Sequence, residues 1–403
     1  MDFDDSPEEA AFRAEARAWL EANAPIAHPA RPSPTLGERD DPATIEAAKT
    51  WQARKADAGW ACLTWPSEYG GRGATPMQAV IWGQEEARFR VPPNVFAIGI
   101  GMAGPTIMAH GTPEQRRRWL PKMARGEEIW CQLFSEPEAG SDLAALGTRA
   151  VLDDTDPDDE VWVVNGQKVW NSSAQHADFG ILICRTDPTA PKHKGISWVI
   201  CDMNLPGIEI REITTMSHVN DFCEVFYDDV RIPLSNVVGE INDGWRVTMT
   251  TLSFERGTAF MADQVELAKV VENLIEEART RTGPDGKRPA IADDELARRL
   301  ATCRAEVTAL RAMTIAGISR TQRTGMPGPE GSMIRLFHGE LHQRVYRLAL
   351  DIIGPDAFRL TGIDGEGVWT GPYLQSFAYT IGGGTTDIQR NIVAERVLGL
   401  PRK

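Results

Sequence analysis

Residues 131–142, CQLFSEPEAGSD, concentrate small and hydroxyl-bearing side chains around a proline and a glycine. Such a run cannot continue as a regular strand, so it exposes backbone N–H groups and hydroxyls in a loop. That is one way to hydrogen-bond a phosphate or a polar heteroring. On composition alone a plain surface loop is the favoured reading. Further on, LSFERG (252–257) sets the carboxylate of Glu255 beside the guanidinium of Arg256 within a stretch of helical period. Taken alone, that is a surface ion pair, and Trp170 taken alone is an ordinary buried aromatic.

Two other patterns point to less chemistry. Residues 99–104, GIGMAG, match GxGxxG, but a dinucleotide turn needs a strand before it and a long helix after it. Here Pro105 follows at once and the surroundings are helical, so the glycines are expected to allow close helix packing. His338 and His342 stand four apart and could share one helix face. Their order, HGELH, is not HExxH and brings no third ligand, so core or surface histidines and no metal are expected.

The elements that must position these residues fall into three textures. From Ser6, SPEEAAFRAEARAWL offers an N-cap, a proline at the first helical position and Glu9 where a capping box needs it. Helical stretches follow at about 43–59, 76–89 and 113–125, separated by Pro66, Gly70, Gly71 and Gly73. Around Trp130 the chain changes to short β-rich runs at 160–170, 179–186, 195–203 and 223–232. The acidic DDTDPDDE (153–160) carries too much like charge for a core and is expected in an exposed hairpin loop. After Gly244-Trp245 the helical period returns to the end of the chain, broken by a polar loop at 279–294.

The whole chain of 403 residues, 42% hydrophobic and 25% charged, is long enough for two or three domains. With 57 acidic against 43 basic residues its net charge is -14, which repels phosphate backbones and anionic membranes. Nucleic acid and membrane partners are therefore not expected. A polyanionic ligand would need local Arg, helix N-termini and backbone N–H groups to bind against that field. The start of the chain has no basic and apolar leader pattern and no later window approaches a membrane span, so a cytoplasmic protein is expected. Six scattered cysteines with no CxxC pair predict reduced core residues.

Several long motifs resemble, in order, those of the acyl-CoA dehydrogenase family. They are GWACLTWPSEYGGRG (59–73), the 131–142 loop, VNGQKVWNSSAQHADFGILICRTD (164–187), VFYDDVRIPLSNVVGEINDGW (225–245) and GGGTTDIQRNIVAERVLGLPR (382–402). Together they span essentially the whole chain. The resemblance implies an α+β fold with an N-terminal α-helical domain (1–128), a central β-barrel-like domain (129–238) and a C-terminal four-helix bundle (239–403). It also implies FAD as cofactor, an acyl-CoA substrate oxidised to the trans-2-enoyl-CoA, and electron-transfer flavoprotein as acceptor. A homo- or hetero-oligomer goes with it.

Carried over residue by residue, the resemblance sets Gln132, Phe134, Ser135, Gly140 and Ser141 along the flavin, with Ser141 also toward the substrate. Trp170 and Ser172 resemble the family's Trp and hydroxyl beside the isoalloxazine ring. Arg279, Asp351, Thr385 and Asp387 fall where the family contacts the FAD of a neighbouring subunit, although Thr282 replaces an aromatic and Asp351 a glutamine. Many members carry the catalytic base just before the Gly-Thr of the C-terminal turn, and here that place is Gly383. A subset carries it on the first helix of the C-terminal domain, before an Arg, which matches Glu255. Arg256 then orients Glu255 or the CoA end, and the Gly383 N–H donates to the thioester carbonyl. Two alternatives stay open: one chain of a mixed α2β2 enzyme for bulky, steroid-like CoA esters, as in actinobacterial relatives, or a related flavin oxidase or monooxygenase.

Overall fold

Side-chain caps start the early helices where the sequence offers them. In the computed structural model, which describes residues 4–26, 41–156, 160–255, 259–324, 328–359 and 369–402, helix α1 runs Pro7–Asn23. Glu9 donates its N–H to Ser6 Oγ (3.3 Å) and Ser6 donates its own to Glu9 Oε2 (2.8 Å), the reciprocal box that the sequence predicts. Helix α2 (Pro42–Asp57) starts on a proline, and α3 (Pro76–Glu86) repeats the box with Thr75 and Gln78. After α4 (Gly104–His110), α5 (Pro113–Arg125) repeats it with Thr112 and Gln115 and matches its expected bounds.

The GIGMAG glycines lie in a wide helical turn leading into α4, with no strand before them. A Cβ on Gly104 would stand 2.2 Å from the Trp65 ring, and one on Gly99 would press on Met123 and Trp130. Close packing, as expected, is what these glycines permit.

The β-rich middle forms strands β1 (Trp130–Leu133), β2 (Arg149–Asp153), β3 (Val161–Ser172), β4 (Phe179–Arg185), β5 (Ile196–Asp202), β6 (Ile208–Ile213) and β7 (Phe222–Pro233). Their order in one sheet is β1-β4-β2-β3-β7-β6, with β5 paired to β4. β4 and β5 are buried at nearly every position, which is why FGILICR and ISWVICD read as unbroken apolar runs rather than alternating ones. The acidic segment connects antiparallel β2 and β3, and its described residues 154–156 are exposed; 157–159 lie outside the described residues.

Helices α6 (Gly244–Glu255), α7 (Ala259–Thr280), α8 (Asp294–Thr324), α9 (Gly331–Ile353), α10 (Thr370–Ser376) and α11 (Thr386–Ile392) follow. The chain divides into two units, each with its own core. One comprises residues 36–74 and 92–255, and Trp65, Ile107, Leu120, Trp130, Ile181, Trp198 and Val247 lie in its core. Within it Trp119 meets the edges of Trp130 and Phe179 at centroid distances of 5.6 and 4.6 Å.

The other unit comprises residues 1–35, 75–91 and 256–403, with Leu267, Leu274, Leu310, Leu341, Val345 and Ile352 in its core. Here α1 and α3 are joined by the buried Glu85, which accepts from Arg13 (3.1 Å), Arg17 (2.9 Å) and Arg88 (2.8 Å). Burial alone would raise this carboxyl, but the three guanidiniums hold it down to about 2. Val80 of α3 packs on Ile318 of α8, and Lys269 of α7 donates to the Ala87 carbonyl. The α+β arrangement of helices, central sheet and helices is thus the expected one. All six cysteines are buried and unbridged, and among the described residues no helix is long and apolar enough to cross a membrane.

Candidate active site

The 134–142 loop leaves β1 through Phe134, whose ring is buried, and closes on itself at once. Glu136 and Ala139 exchange backbone hydrogen bonds of 3.1 and 3.0 Å across the proline, and Gly140 and Ser141 follow, exposed. What keeps this short turn still lies underneath it. The Nζ of Lys168, fully buried, donates to the Phe134 carbonyl (3.1 Å) and to Glu136 Oε1 (2.7 Å). The same carboxylate accepts the N–H groups of Gly147 (2.6 Å) and Thr148 (3.0 Å). Burial would raise Glu136, yet Lys168 and these donors hold it below the ordinary carboxylate range. Burial in turn pushes the Lys168 ammonium down, against the pull of Glu136. Breaking such a pair from one side leaves a charge in a low-dielectric interior, at about 3–5 kcal/mol.

β3 is stitched to that loop. Val169 donates its N–H to the Ser135 carbonyl (2.9 Å), and Asn171 Nδ2 donates to the Gln132 carbonyl (2.8 Å). Between them the register with β7 slips, a bulge that sets Trp170 at φ 62°. Lys168 therefore points into the core while Trp170 turns outward, 58% exposed, with the Phe222 ring edge-on at 5.9 Å. Ser172 lies half-buried at the end of the strand. The backbone thus brings Gln132, Phe134, Ser135, Trp170 and Ser172 together beside the exposed Gly140–Ser141 corner. Asp142 closes that corner by pairing with Lys192 at 2.5 Å.

Helix α6, which carries Glu255 as its last residue, is anchored to the same unit. A Cβ on Gly244 would stand 2.5 Å from the Ser197 backbone, so the helix starts hard against β5. Thr106 donates to Thr251 (3.0 Å), and His110 Nε2 lies 2.9 Å from Thr250 Oγ1. The side chain of Glu255, and Arg256 entirely, lie outside the described residues.

In the other unit the glycine turn 382–384 rests on α9. Arg335, Gly339 and Gln343 recur every fourth residue and form one stripe. Arg335 Nη2 donates to the Gly382 carbonyl (2.5 Å), a Cβ on Gly339 would stand 2.6 Å from the Tyr379 carbonyl, and Gln343 Nε2 donates to Thr380 Oγ1 (2.8 Å). From the other side the buried Gln389 Nε2 donates to the carbonyls of Gly383 (2.8 Å) and Gly384 (3.3 Å). Gly383 and Gly384 take φ of 68° and 97°, a region that favours glycine. Thr385 then caps α11, accepting from the Ile388 N–H, and Asp387 pairs with Arg390 at 3.2 Å.

Arg279 and Asp351 are engaged elsewhere in this unit. Arg279 pairs with Glu276 one turn away, and Asp351 with Arg299 of α8 at 2.7 Å. His338 and His342 are core histidines against the Tyr379 ring, His342 with centroids 4.1 Å apart. Burial first, then His338 and Arg335, push His342 down to about 3, so it is uncharged at neutral pH. Among the described residues no group of three or more His, Cys, Asp or Glu could hold a metal.

Sequence reasoning missed Glu136, Lys168, Arg335 and Gln389, the supports of the two irregular segments. Only Lys168 left a signal, as a lysine flanked by valine and tryptophan in a strand.

Compared with known proteins, residues 6–127, 131–230 and 242–398 match the family models for the acyl-CoA dehydrogenase N-terminal, middle and C-terminal domains. The chain belongs to the acyl-CoA dehydrogenase family: it is an oxidoreductase acting on a CH–CH bond, and its cofactor is FAD. Among curated relatives, the acyl-CoA dehydrogenase IpdE1 of Mycobacterium tuberculosis (strain ATCC 25618 / H37Rv) is 40% identical over 97% of this chain and 98% of its own length. Among solved structures, the Tcur3481-Tcur3483 steroid ACAD is similar with a TM-score of 0.83 and 29% identity, over 100% of both chains. The ChsE4-ChsE5 complex from Mycobacterium tuberculosis follows with a TM-score of 0.80 and 30% identity, again over 100% of both.

Proposed function

We propose that this chain removes the α proton and the β hydride of an acyl-CoA thioester, giving the trans-2-enoyl-CoA, and that its electrons pass to an electron-transfer flavoprotein. The observation that carries this reading is the outward Trp170 on its bulge, beside Ser135 and Ser172 and above a loop locked by a buried ion pair. An uncovered indole face flanked by hydroxyls fits a flat, polar heteroring. FAD bound there, along Gln132, Phe134, Ser135, Gly140 and Ser141, supplies the two-electron acceptor for the β hydrogen.

This chain's own residues do the rest. Trp170 keeps water from the ring, and the hydroxyls of Ser135 and Ser172 donate hydrogen bonds to its polar edge. Glu255 takes the α proton as a carboxylate whose basicity rises when substrate excludes water. The Gly383 N–H donates to the thioester carbonyl and stabilises the charge that grows on its oxygen as the α proton leaves. The α C–H electron pair becomes the new C=C bond as the β hydrogen departs with its own pair. Gly383 has no side chain to offer as a base, which leaves that duty to Glu255. Arg256 orients Glu255 or the CoA end, and Ser141 contacts substrate as well as cofactor. Arg279, Asp351, Thr385 and Asp387 contact the FAD of a neighbouring subunit.

The names of the similar structures favour bulky acyl groups: one is a steroid ACAD, and each pairs two chains. The substrate is accordingly a steroid-like CoA ester, and the enzyme a cytoplasmic mixed assembly in which this chain supplies the base. The domains act as residues 1–128, 129–238 and 239–403.

Anaerobic titration of the purified flavoprotein with straight, branched and steroidal CoA esters tests this, with the chain expressed alone and with its genomic neighbours. Bleaching is expected with steroidal esters and should fall about a thousandfold in rate in Glu255→Gln with FAD retained. A Glu255→Gln variant that turns over normally would sink the mechanism, and rapid re-oxidation of the bleached protein by air would favour an oxidase instead.

A further inference from the structure

We propose that Arg335 is a positioning residue of the thioester-carbonyl site, fixing the direction and strengthening the donor of the Gly383 N–H; this rests on the reading of that N–H as the carbonyl's partner. The argument begins with the peptide that joins Gly382 to Gly383. In a trans peptide the C=O and the following N–H point in opposite directions along one rigid plane. A group that grips the Gly382 oxygen therefore aims the Gly383 hydrogen the other way. Arg335 Nη2 grips that oxygen at 2.5 Å from a buried position on α9.

Aim matters here because the turn has little of its own. Residues 382–384 are all glycine, two of them at positive φ, so no side chain restricts the rotation of this peptide. The other supports act on different peptides: Gln389 holds the Gly383 and Gly384 carbonyls, and Gln343 holds Thr380. Among the described contacts, Arg335 is the one that holds the Gly382–Gly383 plane.

Charge matters as well. A guanidinium on a carbonyl oxygen draws electron density toward that end of the amide, so the N–H at its other end becomes a stronger donor. Of the two imidazoles on the same helix, His338 and His342, His342 is held neutral by burial, and the Tyr379 ring lies 5.9 Å from the guanidinium carbon. The result is a cation one peptide behind the hydrogen bond that stabilises charge on the substrate.

The test uses the FAD-loaded enzyme, in its natural assembly, with acetoacetyl-CoA. That ester can lose an α proton but has no β hydride to give, so enolate absorbance reads the carbonyl site without turnover. In Arg335→Met the pH at which half the bound ester is enolate should rise by about one unit, a tenfold loss. Turnover of the best CoA ester should fall about tenfold in kcat with KM within about twofold. Arg335→Lys, which keeps a cation on the same oxygen, should recover to within about threefold. Gln343→Leu removes a different bond to the same segment, and should lower thermal stability without moving enolisation.

Unchanged enolisation in Arg335→Met, or an equal shift in Gln343→Leu, overturns the inference while leaving the proposed reaction standing. No enolate in the wild-type enzyme overturns both. Should Arg335→Met fail to fold, Arg335→Gln decides: a shift that Arg335→Lys does not share supports the inference, and none overturns it.

Discussion

The loop at 134–142 and the turn at 382–384 each hold a few irregular residues still, by opposite means. Under the first lies a full charge pair, Lys168 and Glu136, sealed from water and completed by the Gly147 and Thr148 amides. Around the second are long side chains reaching in from α9 and α11, each bonding one or two carbonyls of a glycine run. A sealed ion pair behaves as one object, since neither half is stable without the other. A set of separate hydrogen bonds can be lost one at a time, each at about 1 kcal/mol. Damage to the loop should therefore be all-or-none, and damage to the turn graded.

The largest expected effect is at Lys168→Met. It strands the Glu136 carboxylate in the core, so stability should fall by about 3–5 kcal/mol and FAD should be lost on gel filtration. The double variant Lys168→Met with Glu136→Leu should regain at least about 2 kcal/mol in a denaturation cycle. Simple addition of the two losses would break the contrast.

Next comes Gly384→Ala. At φ 97° its Cβ would stand 2.8 Å from Gln389 Nε2, so both backbone and neighbour must give. A cost of about 1–3 kcal/mol is expected in thermal unfolding, with the cofactor retained. Gln389→Leu should do less, about 1–2 kcal/mol, since it removes one donor shared by two carbonyls.

The smallest effect is a change of slope with pH. Glu85 is depressed from 4.5 to about 2, so the stability it contributes is complete above the unfolded value and is lost as pH falls from about 4.5 toward 2. Glu85→Gln should lower stability at pH 7 and flatten acid unfolding over that window. Because Glu136 is depressed too, part of the acid dependence should survive in that variant and shrink further with Glu136 changed. If Glu85→Gln alone removed it all, the loop pair would be less strongly coupled than its geometry indicates.

Much of this was legible in the chain itself, because it is local. Ser6 with Glu9, and the continuous apolar runs of β4 and β5, depend on neighbours a few residues away. The loop 131–142 was legible as an irregular stretch for the same reason. Its support was not: Lys168 lies 32 residues from Glu136, and nothing local says that a lysine on a strand points inward. Trp170 is the converse case. A bulge at φ 62° turns outward an aromatic that strand alternation and hydrophobicity would bury. Arg335 looks like any helical arginine until the glycine turn 47 residues later is folded onto it.

The assignment of α3 to the same unit as α7 and α8 has a consequence for how the protein is made. Ala87 receives the ammonium of a lysine 182 residues downstream. On a ribosome adding about 5–20 residues per second, the first helices emerge roughly ten to forty seconds before their packing partners. Through that interval the apolar side chains of α1 and α3 are sticky and unshielded. Chaperone demand and aggregation of nascent chains should thus concentrate at the amino end, although the bundle that finally shelters it is encoded at the other.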